Sequence, residues 1–148
     1  PGPAAEELTE LLRLRDDVGA ELAAVAAGPA RAAGLPVLVH AGVSPRTVGS
    51  RSPLTPALAR LADAVVVSTD ARPEDAAARD LAGAVAAAGD ECAVLASVRA
   101  FPPDVRSRDE LTRRLRDAAA TGATGARVHT FGLIPDERLE WIGSVAAW

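Results

Sequence analysis

Lysine is missing from this chain: all 16 basic residues are arginine. With the abundance of alanine, that reads as the codon bias of a GC-rich genome and carries no functional signal. Positive charge is not in excess either. The net charge is −4 and the pI about 5.2, which gives no electrostatic reason to bind nucleic acid or an anionic membrane. A single cysteine, Cys92, excludes an internal disulfide framework. It lies in "CAVLAS" and reads as a small buried hydrophobe, not a nucleophile. No apolar run approaches the roughly 18 residues of a membrane span, and no signal peptide is evident, so a soluble cytoplasmic protein is the expectation. Methionine is absent too. The chain begins "PGPAAEEL" and ends "SVAAW" inside a helical pattern. Loss of an initiator before Pro1 would explain the start, and a fragment of a longer protein would explain both ends. Only two histidines occur, His40 and His129, and each sits at or near the end of a short apolar run.

What is present is one unit, four times. Apolar, valine-rich runs fall at Leu35–His40, Ala64–Thr69, Cys92–Arg99 and Ala126–Phe131. Three follow a glycine, in "AAGLP", "AAGDE" and "ATGA", which suits the left-handed position just past a helix C-terminus. Helical patterns fill the intervals. Pro73 opens "PEDAAARDLAGAVAAAG" with acids in its first turn, where the helix dipole favours them. Ser107 and Glu110 form a capping box ahead of "LTRRLRDAAATG". Thr55-Pro56 starts a short helix through Leu61, and Pro135, Asp136 and Glu137 start the last one, with Leu139 and Ile142 on its inner face. The first helix, Ala4 to Ala27, places Leu8, Leu11, Leu14 or Leu12, Val18, Leu22 and Val25 at helical spacing. Gly28-Pro29 is expected to break or kink it.

The order is one helix, then four βα units. The chain of 148 residues reads as a single α/β domain with a parallel sheet covered by helices and right-handed crossovers. Two architectures fit: half of a (β/α)8 barrel, or an open doubly wound sheet. In a half-barrel about ten side chains would line the inner face, at roughly 2 kcal/mol each when buried. Leaving them wet forfeits about 20 kcal/mol, above a domain's usual net stability of about 5–15. A half-barrel should therefore need its missing half, a second copy or a rearrangement.

"EELTELLRLRDDVGAELAAV" leading into "AAGLPVLVHAG", and the closing "GARVHTFGLIPDERLEWI", resemble the C-terminal half of glycoside-hydrolase-like TIM-barrel proteins from poorly characterised bacterial families. Phe131-Gly132-Leu133, Pro135, Leu139, Trp141 and Ile142 match a segment of the type "YG-L-P-E-LDWI" that follows the last strand of such proteins. The resemblance covers most of the chain and implies that its strands are the barrel's fifth to eighth, with carbohydrate as the substrate class. Such glycosidases usually carry one acid at the end of the fourth strand and another at the end of the seventh. The seventh-strand equivalent here, "CAVLASVRAF", ends on Arg99, so the resemblance implies a fold and a substrate class without a catalytic pair.

In parallel α/β folds ligands bind beyond the C-terminal ends of the strands. The four ends supply His40, Asp70, Arg99 and His129. His40, Asp70 and His129 are the candidate catalytic residues. Arg99 and Phe131, with Arg46 and Arg51 of the long loop "AGVSPRTVGSRSPLTP", are the candidate substrate-binding ones. Phe131 is a possible sugar platform, and the two loop arginines could hold a carboxylate or phosphate. Each residue has a plain alternative: a turn contact for His40 and Asp70, an ion pair with a carboxylate such as Asp70 for Arg99, a core position for Phe131, a solvated loop for the arginines. Alternation along the last strand puts Arg127, His129 and Phe131 on one face. No dinucleotide or P-loop fingerprint occurs, and no cofactor is implied. Three functions stay in competition. The first is a carbohydrate-active barrel fragment whose second acid lies elsewhere. The second is a metal-dependent hydrolase or lyase using His40, Asp70 and His129, although no HxH or HExxH supports a metal site. The third is a non-catalytic structural or assembly domain. The expected partners are a small-molecule or carbohydrate ligand, and a missing barrel half or further copies of the chain.

Overall fold

The structure, a computed structural model, describes residues 3–42, 54–69, 74–129, 132 and 134–145. Among these residues nine elements alternate: α1 Pro3–Ala32, β1 Leu38–Ala41, α2 Pro56–Leu61, β2 Ala64–Ser68, α3 Glu74–Ala88, β3 Ala93–Arg99, α4 Arg108–Ala120, β4 Gly125–His129 and α5 Asp136–Val145. The strands form one sheet in the order β1-β2-β3-β4, with every neighbouring pair parallel. The expected α/β class and four-strand parallel sheet are both present. An order without reversal has no switch point of the doubly wound kind; it is the order of consecutive strands in a (β/α)8 barrel.

Local chemistry sets the boundaries. Thr55 caps α2 by accepting from the Leu58 N–H at 3.2 Å, with Pro56 in the first turn. Ser107 caps α4 by accepting from the Glu110 N–H at 3.2 Å. The Glu110 carboxylate does not reach back to Ser107 as a strict capping box requires; it accepts from the Arg106 N–H at 2.8 Å. Gly34, Gly89 and Gly122 take positive φ after α1, α3 and α4, where a Cβ would be strained. One boundary differs from expectation. Helix α1 runs through Gly28-Pro29 to Ala32. Pro29 has no N–H to donate back to Val25 and its ring crowds that carbonyl, yet the N–H groups beyond it still find helical acceptors: Ala33 N–H donates to the Pro29 carbonyl and Leu35 N–H to that of Ala30.

The core lies on one side of the sheet. Val65, Val67, Val94, Ala96 and Val98, each at most 3% exposed, pack with Leu81 and Ala84 of α3 and Leu111, Leu115 and Ala118 of α4. Leu139, Trp141 and Ile142 of α5 are half-buried against the same cluster. Cys92 joins it as a half-buried thiol. Helix α1 departs from this pattern. It turns mostly small residues inward, with Ala27 buried and Leu12, Gly19, Ala20, Ala23 and Ala30 half-buried, so that Leu12 and not Leu14 is the inward leucine, and it packs against α2. The rest of its predicted apolar stripe is exposed: Leu8 51%, Leu11 63%, Leu14 57%, Val18 44%, Leu22 65% and Val25 75%.

Candidate functional site

Register and pleat define the other face of the sheet. Residues paired across parallel strands share a face, as do residues two apart along a strand. The opposite face therefore reads in rows: Leu38, Ala64 and Ala93; then His40, Val66, Leu95 and Gly125; then Ser68, Ser97 and Arg127; then Arg99 and His129. The first rows are dominated by apolar or small residues, and the last two are wholly polar. The switch occurs toward the C-terminal ends of the strands, where parallel sheets bind their ligands.

This face is concave. An Arg127 Nη1 to His40 Nε2 hydrogen bond joins β4 to β1, the two edge strands. In a flat sheet these edges would stand about 14 Å apart. Two side chains can meet over the middle only if the sheet curls toward them, as barrel strands do. Arginine has no acceptor, so the His40 ring accepts at Nε2 and is neutral in this contact. The curl also revises the energetic argument for a missing half. Among the described residues the concave face holds three large apolar side chains, Leu38, Val66 and Leu95, rather than about ten. Val66 is buried at 1% exposure, and Leu38, at 52%, forfeits roughly 1 kcal/mol.

Two of the strand-end candidates come together, since Arg99 and His129 are register partners. His40 stands apart from them. Its row meets β4 at Gly125, four residues, or about 13 Å along the strand, short of His129. The two histidines thus lie on opposite edge strands and at different depths. Asp70, Phe131, Arg46 and Arg51 lie outside the described residues. Among the described residues the concave rows hold no carboxylate, and no group of three or more His, Cys, Asp or Glu could hold a metal ion.

Arg99 has a structural engagement. Its guanidinium pairs at 3.0 Å with Asp104, whose side chain is 3% exposed, and lies 5.5 Å from the centroid of the Phe101 ring. A buried carboxylate needs such a partner. The sequence suggested Asp70 for this role; the structure supplies Asp104 from the loop leading into α4. Arg138 of α5 fixes the same loop, donating to the Ala100 and Val105 carbonyls at 3.1 and 2.9 Å while stacking 4.8 Å from the Trp141 ring centroid.

Arg127 was not among the strand-end candidates, although its alternation with His129 was legible. Position from the strand end underrated it, because the curl brings the middle of β4 toward β1. On the helix side, a cleft between α3 and α4, lined by Thr69, Leu81, Arg114 and Asp117 among others, holds about 30 Å³. That is room for little more than a water molecule, and it is on the far side of the sheet from the histidines.

No protein-family model matches the chain, and no curated protein is similar to it. The class that fold and face define is an all-parallel α/β sheet curled about a concave surface. The glycoside-hydrolase-like resemblance rests on the sequence segments that carry it. No described helix is long and apolar enough to cross a membrane.

Proposed function

We propose that the chain is part of a glycoside-hydrolase-like barrel and binds a small, hydroxyl-rich ligand of the carbohydrate class at the C-terminal half of its concave face. The observation that supports this reading is the change of character along that face, from Leu38, Ala64 and Ala93 to Ser68, Ser97, Arg127, Arg99 and His129. Serine hydroxyls accept and donate, and guanidinium groups donate in a fixed fork; both suit vicinal hydroxyls or a sugar carboxylate. Hydrolysis by paired acids requires carboxylates beyond the described rows. Asp70 is the candidate within the chain, and a second would come from outside it. The metal-dependent reading has less support, because His40 and His129 stand on separate edges.

Titration of the protein with glucose and with glucuronate, followed by NMR or calorimetry, tests the proposal. Millimolar-range binding that weakens about tenfold in Arg127→Ala is the expected result. Absence of binding to both sugars, or binding unchanged in Arg127→Ala and Ser97→Ala, would overturn it. Activity toward glycosides, if found, should fall most in Asp70→Asn.

A further inference from the structure

Two arginines stand in the polar rows of the concave face, Arg127 and Arg99, and their charges are not equally engaged. Arg99 is neutralised, because its guanidinium pairs at 3.0 Å with the buried carboxylate of Asp104. Arg127 is exposed, and its hydrogen bond runs from Nη1 to Nε2 of His40, a ring that accepts and is neutral in this contact. That bond uses a donor and leaves the positive charge in place. The concave rows bring no carboxylate to it among the described residues.

The same bond orients the side chain. A guanidinium carries its five N–H donors in a rigid plane. With Nη1 tied to His40, the opposite edge, Nε and Nη2, forms a two-pronged fork of the kind that takes a carboxylate side-on. The side chain is tied across the face before any ligand arrives, and a tethered donor loses less freedom on binding. The bond reaches from β4 to β1 over the two middle strands, where the residues in His40's row are Val66, buried, and Leu95, half-buried. An apolar floor weakens the screening of a charge above it and suits the C–H side of a sugar ring.

On the carbohydrate reading of this face, on which the inference rests, we propose that the ligand is an acidic sugar whose carboxylate seats on the Nε–Nη2 edge of Arg127. A carboxylate matches the single uncompensated charge and the two-pronged edge together. A phosphate ester, with about −1.5 to −2 charges at pH 7, would exceed that charge. Arg99, held by Asp104, adds hydrogen-bond donors without adding net charge.

Calorimetric titration of the full chain with glucuronate, glucose, glucose 6-phosphate and acetate tests this. Glucuronate is expected to bind about tenfold more tightly than glucose, and more tightly than the phosphate ester or acetate. Arg127→Gln, which keeps N–H donors and removes the charge, should bring the ratio of glucuronate to glucose affinity to about one. Arg127→Lys, which keeps the charge and removes the fork, should retain about a third of the glucuronate affinity. The comparison of the four ligands on the unaltered chain stands even if a variant fails to fold. Glucose binding as tightly as glucuronate, or a ratio that persists in Arg127→Gln, would overturn the acidic-sugar assignment while leaving the carbohydrate reading intact. Tighter binding of the phosphate ester would do the same. Acetate binding as tightly as glucuronate, or no binding of either sugar, would overturn both.

Discussion

Helices α4 and α1 are both amphipathic, and they meet opposite fates. Helix α4 places Leu111, Leu115 and Ala118 on the sheet and buries all three. Helix α1 turns Leu12, alanines and a glycine inward and leaves six larger apolar side chains outside. A helical stripe in a sequence marks an amphipathic helix; it does not say which side of that helix the fold will bury.

The widest separation between the two helices should appear on truncating a leucine in each. Leu111, at 0% exposure, should cost about 2–5 kcal/mol on replacement by alanine. Leu11→Ala, at a position 63% exposed, should cost about 0.5 kcal/mol or less in urea unfolding. Equal losses at the two positions would erase the distinction.

Ion pairs sharpen the same comparison at smaller amplitude. Asp104→Ala strips a buried carboxylate from Arg99 at the entrance to α4 and should destabilise by about 1–3 kcal/mol. Glu10→Ala breaks the pair with Arg13 on α1, whose side chains are 68% and 69% exposed, and should leave the unfolding midpoint unchanged. Asp104 follows the packed region; Glu10 follows solvent.

The finest probe is Cys92 at the lip of β3. Burial, and then the charge of Glu91, push its thiol above the ordinary 9.0. Alkylation by iodoacetamide at pH 8 should therefore be slower than that of a free cysteine. A folded value above the unfolded one means the neutral thiol favours the native state, so this contribution is whole below the ordinary value and is lost as pH rises through the raised one. Alkylation as fast as in unfolded chain would show the packed side to be looser than α4 suggests.

Much of the fold was legible in the residues. Valine-rich runs bounded by glycines gave four parallel strands, and Thr55, Ser107 and Pro135 marked helix starts that the structure retains. The end of α1 was misjudged because proline forfeits a single backbone bond and crowds one carbonyl, while the N–H groups beyond it still bond in the helical pattern. The candidate site was less legible. The apolar-to-polar change along the concave face is spread over four strands and emerges only with register. Asp104 as the partner of Arg99 depends on how a loop folds back. The His40–Arg127 contact joins residues 87 apart and exists only once the sheet bends, a property that no local pattern encodes.

That bond also makes the bend observable. Because the guanidinium can only give protons, the imidazole it touches must carry its own hydrogen on Nδ1, and nitrogen-15 shifts distinguish the two ring nitrogens. A spectrum of one labelled histidine thus serves as a strain gauge on the whole arch: the tautomer signature persists while the span is held and is released when the span opens.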